Sequence, residues 1–261
     1  MIITSTRPLT RGCITDFFGP TLTLNQLRGD GVVLNKSLVI PVHFGETVNS
    51  VEYVQIQHCS SVGEHVQNTD ELSFIAVGCG ELTTNGETST IQVGDLILAP
   101  RFTKHSIRNT QEYHSLDFLA VEVQTPSYIK HPPTTITALH TRLQPTETRC
   151  PALVGPQRVP LSAFTVDLTK YFSGPWDQLS LLELPAGCCT EEYVLPCNEN
   201  LLVYEGGHAT IEVDGNSFMT DEERECRLNA FVPAGITRRI VNRSSVAPLH
   251  VLSVWFFQES A

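Results

Sequence analysis

The residue types best suited to chemistry cluster in two stretches: His65-Val66-Gln67 with Glu71 four residues on, and His105 far downstream. Residues two apart on a strand face the same way, so His65 and Gln67 can point into one cavity. Glu71, at the start of the next strand-like run, can join them. His105 lies in Gly94-Asp-Leu-Ile-Leu-Ala-Pro100-Arg-Phe-Thr-Lys-His105-Ser-Ile-Arg-Asn109, where a turn and a bend begun by Pro100 deliver an imidazole from another strand to the same place. Imidazole, amide and carboxylate groups gathered in one pocket are metal-competent, and the titratable ones can also move protons.

The elements that must position these side chains read as strands. The 261 residues suffice for one large domain or, the better reading, two of about 100–150 residues each, and 41% hydrophobic residues supply a core. Most of the chain is short strand-like runs separated by turn signals, the pattern of an all-β sandwich or barrel. Glu71 to Gly86 holds two such runs around Gly78 and Gly80 and ends in Asn85-Gly86, a type I′ hairpin signal. Asn200 to Gly215 repeats the design with Asp214-Gly215 at the turn. Gly207 and Gly78, like Gly215 and Gly86, are 129 apart, whereas Pro233 and Pro100, like Asn242 and Asn109, are 133 apart. A four-residue insertion within Ser217 to Cys226 accounts for the change, so the chain reads as an internal duplication. Between the copies, Gln124 to Pro160 holds seven prolines, each of which removes a ladder donor.

At the residues of the first paragraph the sequence resembles the cupin superfamily, whose motifs run G-x5-H-x-H-x3,4-E-x6-G and G-x5-P-x-G-x2-H-x3-N. The second motif is matched by Gly94, Pro100, His105 and Asn109, with Phe102 in place of its inner glycine. The first is matched by His65, Glu71 and Gly78, with Gln67 where a second histidine belongs and Cys59 where the leading glycine belongs. With the duplication, the whole chain looks like a bicupin. The resemblance implies two tandem jelly-roll barrels: residues 1–125 with a metal site, a Pro-rich connection over 126–160, and residues 161–261 with a degenerate site.

By that resemblance the metal ligands would be His65, Gln67, Glu71 and His105, with Glu71 and His105 also catalytic. An amide oxygen is a neutral donor, so glutamine for histidine makes the shell harder without changing its net charge, leaning toward manganese, iron(II) or zinc and away from copper. Asp117 and His114 are candidate hydrogen-bond acceptors behind the imidazoles. In the second copy, Val194, Pro196, Asn200 and Arg238 stand at the equivalent positions, a set that would not bind a metal. There, Arg238 or Arg239 could hold an anion, and Trp255, Phe256 and Phe257 suit packing or dimerisation.

Because the cupin barrel serves many chemistries, three functions follow as expectations. The first is a non-haem iron(II) dioxygenase acting on an enol, diol or thiol. The second is a redox-neutral isomerase or lyase using zinc, manganese or iron as a Lewis acid, with Glu71 as the base and Lys104 or Tyr53 assisting. The third is a small-molecule-binding protein without turnover. A formal charge of -11 removes the electrostatic footprint of a nucleic-acid binder and disfavours an anionic membrane surface. With no secretory signal or membrane span legible, a cytoplasmic protein with free, mostly buried thiols is expected, its partner a small-molecule substrate and its assembly a possible homodimer. Cys188, Cys189, Cys197 and His208 match no standard metal spacing.

Overall fold

The computed structural model describes residues 13–16, 22–23, 29–39, 48–123, 137–140, 144–145, 162–206, 208–220 and 228–257. In chain order the first eleven strands are β1 (Cys13–Asp16), β2 (Leu22–Thr23), β3 (Val33–Val39), β4 (Val48–Ile56), β5 (Ser61–Val66), β6 (Asp70–Val77), β7 (Cys79–Thr84), β8 (Glu87–Gln92), β9 (Asp95–Ala99), β10 (Lys104–Asn109) and β11 (Leu116–Val123). Then come β12 (Thr137–His140), β13 (Gln144–Pro145), β14 (Ser162–Asp167), β15 (Trp176–Leu184), β16 (Asn198–Glu205), β17 (Ala209–Val213), β18 (Asn216–Met219), β19 (Leu228–Val232), β20 (Arg238–Asn242) and β21 (Leu249–Phe256). The one helical element among the described residues is a 3-10 turn at Leu168–Lys170. The fold is all-β, as the turn-punctuated strand pattern predicts, and no described helix is long and apolar enough to cross a membrane.

The strands form two compact units. In the first, a seven-stranded antiparallel sheet runs β12-β9-β6-β11-β4-β3-β2 and a four-stranded sheet runs β5-β10-β7-β8. Inward residues at alternate positions, Val54, Ile56, Ile75, Ile97, Phe118 and Ala120 from the large sheet, meet Val62, Leu82, Ile91 and Ile107 from the small one. In the second unit the large sheet runs β1-β19-β16-β21-β15-β14-β13, and a three-stranded sheet runs β18-β17-β20. Here Leu182, Leu201, Ala230 and Val251 pack with Ile211 and Ile240. The large sheets correspond strand for strand.

Each large sheet is completed by an edge strand from a distant stretch. β1 pairs with β19, Cys13 opposite Phe231, and β12 pairs with β9, Thr137 opposite Leu98. Residues 13–16 therefore sit in the second unit's sheet. Within the expected Pro-rich connection, β12 and β13 are ordered strands, and the remainder lies outside the described residues.

Both hairpin signals hold. Asn85 and Gly86 take φ of 51° and 85°, and Asp214 and Gly215 take 49° and 74°, the left-handed pair that a type I′ turn requires. The repeat register differs by one residue upstream of these turns. Gly78 packs against the carbonyl of Ser115 and the Cα of Leu116, and Gly206 meets the equivalent Pro248 carbonyl and Leu249 Cα. The extra residue of the second copy falls between Gly206 and Ala209.

Trp255 and Phe256, expected to serve packing or dimerisation, are core residues at 5% and 0% exposure, whereas Phe257 is exposed. Cys59, Cys79, Cys188, Cys189 and Cys197 are free thiols. Only Cys197 among them is buried, and burial, with Asp177 and Glu199 nearby, pushes its thiol up to about 12.

Candidate metal centre

His65, near the end of β5, stands directly opposite His105 on β10. Cross-strand partners share a face, and the two rings lie 4.5 Å apart, tilted by 58°. Glu71 comes from β6 of the facing sheet, where it is buried and pairs with Ala99 and Glu122. Donor atoms of His65, Glu71 and His105 lie within 4.8 Å of one another, the one such group of His, Cys, Asp or Glu among the described residues. Cys188, Cys189, Cys197 and His208 do not converge in this way.

Each donor is held. Nδ1 of His65 faces the Gly63 carbonyl at 2.8 Å, which makes Nδ1 the donor and leaves the lone pair on Nε2, where it could meet a metal. Ser73 Oγ donates to Glu71 Oε1 at 2.7 Å. Glu71 Oε2 is 3.9 Å from His105 Nε2, too far for a hydrogen bond but close to the ~3–3.5 Å separating two ligands of one metal at ~2.1 Å each. His105 is 2% exposed, and its Nδ1 makes no hydrogen bond of ordinary geometry. Burial lowers the His105 pKa against the opposing pull of Glu71, with His65 adding to the lowering and the Thr103 backbone opposing it. A neutral imidazole is the ligand form, so two imidazole nitrogens and a carboxylate oxygen fit a divalent metal.

Gln67 is also brought to this place, as an amide donor: its Nε2 lies 2.6 Å from Glu71 Oε2 and 3.1 Å from Glu122 Oε1. Glu122 went unnoticed in the sequence. Its signal is the alternation Leu116, Phe118, Ala120, Glu122, which puts a carboxylate at the end of the inward face of β11.

The turn that carries His105 is tied to the same residues. Phe102 N–H donates to the Gln67 carbonyl at 2.7 Å, and Arg101 N–H donates to Asp70 Oδ1 at 2.9 Å. Phe102 holds φ of 65° and Cys59 holds 55°, so the two positions where motif glycines are replaced keep the backbone conformation that glycine suits.

Other sequence candidates lie elsewhere. Asp117 accepts from Tyr53 Oη at 2.6 Å and Gln55 Nε2 at 2.9 Å on the opposite face of the sheet, so neither Asp117 nor Tyr53 reaches the site. His114 is exposed, and only its carbonyl is engaged, by Asn109. Lys104 alternates with His105 and pairs outward with Glu64.

The second unit's equivalents differ from those expected. Glu199 pairs with Val232 and Trp255 as Glu71 pairs with Ala99 and Glu122, and Tyr193 bridges Arg238 as His65 pairs with His105. The equivalent set is therefore Tyr193, Leu195, Glu199 and Arg238. Val194 and Pro196 are exposed, and Asn200 bonds Asn229 instead. Arg238 Nε donates to Glu199 at 2.6 Å with both side chains at 0% exposure. Its Nη1 donates to the carbonyls of Pro233 and Ile236 and its Nη2 to that of Cys197, and Tyr193, Ser253 and Trp255 also donate to Glu199. This cation is internally neutralised and not available to an anion. Arg239 is likewise engaged, by the Thr190 carbonyl, Cys189 Sγ and Glu212.

No protein-family model matches the chain, and no match was found among curated proteins. Among solved structures it is similar to AerE from Microcystis aeruginosa (10% identity, TM-score 0.66, 91% of this chain and 97% of that one). It is similar to Ylba from E. coli, of family DUF861 (12%, 0.63, 96% and 94%). It is also similar to an oxalate decarboxylase from Bacillus subtilis whose Mn(II) centres have been studied (15%, 0.61, 92% and 76%). At these identities the likeness shows the fold, which is of the cupin jelly-roll type.

Proposed function

We propose that the chain is a bicupin with one working divalent-metal site, in the N-terminal barrel, and that it is an enzyme acting on a small organic substrate. In this reading residues 1–125 and 161–261 supply the bulk of the two barrels and the Pro-rich 126–160 joins them, with β1 an edge strand of the second barrel and β12 of the first. The observation that carries it is the convergence of His65, Glu71 and His105 within 4.8 Å, set against the second unit, where the buried Arg238–Glu199 pair takes the equivalent place.

His65, Glu71 and His105 would hold the metal, with Gln67 as a fourth ligand through its amide oxygen. Two histidines and one carboxylate are the donor set of non-haem iron(II) oxygenases, so a dioxygenase is the first reading. A metal held there would supply Lewis acidity, and iron(II) in particular the one-electron chemistry that activates O₂ beside an enol, diol or thiol. The residues' part is to fix the donors. Ser73 turns Glu71, Gly63 sets the His65 tautomer, and burial favours the neutral form of His105.

A second reading, a redox-neutral lyase or isomerase using manganese or zinc, is favoured by the similarity to oxalate decarboxylases, one of them described for its Mn(II) centres. Oxygen uptake by iron-loaded protein across a panel of catechols, diketones and enols separates the two. Uptake that needs both iron and His105 supports the dioxygenase, whereas turnover that persists anaerobically with manganese transfers the assignment to the lyase.

A further inference from the structure

Glu122 stands directly opposite Glu71 on the neighbouring strand. Like charges in that relation repel, yet the buried Glu71 and the half-buried Glu122 lie side by side on one face. Between them sits a single amide, Gln67, whose Nε2 reaches Glu71 Oε2 at 2.6 Å and Glu122 Oε1 at 3.1 Å. Glu122 is itself fixed by Thr69, whose buried hydroxyl donates to Oε2 at 3.2 Å.

Ionised carboxylates only accept hydrogen bonds, so an amide held by two of them must turn its NH₂ toward both. This removes the usual ambiguity of amide orientation. Both hydrogens are consumed, and Oε1 is the atom left to meet a cation. An imidazole could not do this, because with one nitrogen on a metal it keeps a single N–H for two carboxylates. The second unit gives an internal control: Leu195 and Trp255 replace Gln67 and Glu122 together, and Trp255 Nε1 donates to Glu199 directly.

We infer that Glu122 is a positioning residue that holds the Gln67 amide with its oxygen free as the fourth metal ligand, and that this pairing is why glutamine stands where the family motif has histidine. The inference rests on the metal-site reading above.

The test is a double-mutant cycle read by Mn(II) titration of the full-length protein, with the electron paramagnetic resonance spectrum of the bound ion as a second readout. Glu122→Gln can both donate and accept, so it releases the Gln67 orientation. Mn(II) affinity should fall about 10–100-fold, the spectrum should change, and in a Gln67→Ala background the same substitution should change affinity less than about threefold. Equal losses in both backgrounds would show that Glu122 acts by its own charge, and no loss in the native background would show that it does not act; either overturns the inference. His105→Ala separates the two levels: if it binds Mn(II) as tightly as the native chain, or the native chain binds none, the metal reading itself falls and takes this one with it. Should Glu122→Gln fail to fold, Thr69→Val loosens the same carboxylate and should show a smaller, equally Gln67-dependent loss, its absence counting against the inference.

Discussion

Cys59 and Phe102 hold left-handed backbone conformations at the two positions where the family motif has glycine. An L-residue there costs about 1–2 kcal/mol and glycine's extra chain entropy about 0.5–1 kcal/mol, so Cys59→Gly should stabilise the fold by about 0.5–1 kcal/mol. Urea denaturation midpoints check this, and an unchanged midpoint would mean that the loop already relieves the strain. Phe102→Gly should gain less, because it also removes the ring over which the Arg101 guanidinium lies at 5.2 Å. A pH dependence belongs to Asp117, whose pKa burial raises against the bonds from Ser115 and Gln55. The protonated form is favoured in the folded state, so this contribution to stability is fully present below the unfolded pKa of about 3.9 and is lost as pH rises through the higher folded value. Comparing unfolding free energies across that acidic window, the native chain should lose stability relative to Asp117→Asn as pH rises. His65, Gln67, Glu71 and His105 were legible because motif spacing and strand alternation are local properties of sequence. For Glu122 the alternation in β11 gives only its inward face, and its place beside Gln67 depends on which strands pair.

At the scale of elements, the motif asparagine is a clamp. Asn109 Nδ2 donates to the carbonyls of Ile56 and His114 while its Oδ1 accepts from Gln111 N–H. Asn242 repeats this with Leu184, Pro185, Ala247 and Ser244. These bonds tie the end of β10 or β20 to the strand that follows and to β4 or β15. Asn242→Ala strands buried carbonyls at about 1 kcal/mol each and should destabilise the second unit by about 2–4 kcal/mol in denaturant melts, while a loss under 1 kcal/mol would mean that water replaces the amide. The hairpins were legible because Asn-Gly and Asp-Gly impose left-handed backbone at adjacent residues. The register between the copies is ambiguous in the sequence because Gly206 and Gly207 are adjacent, and the close approach of the Pro248 carbonyl to Gly206 exists only in the folded sheets. That one-residue slip hid Glu199 behind Asn200. The edge strands β1 and β12 were not legible, since their partners lie far away in the chain and short strands carry little periodicity.

For the molecule as a whole, two units with matching large sheets solve one electrostatic problem in two ways. The second unit keeps its carboxylate, Glu199, and neutralises it with an arginine of its own. The first keeps Glu71, and among the described residues the side chains set against it at this place are the His65 and His105 imidazoles. Removing Arg238 leaves a buried, uncompensated carboxylate, so Arg238→Met should cost about 3–5 kcal/mol while metal binding by the first unit persists in protein that remains folded. A metal bound only to the folded state should stabilise the first unit by about 2.7 kcal/mol at a hundredfold excess over Kd, and a chelator should remove that gain. The most direct measurement is elemental metal content after reconstitution of protein purified without a chelating tag, for the native chain and His105→Ala. The account predicts about one divalent metal per native chain and none in His105→Ala. No metal in the native chain, or equal metal in both, would contradict it.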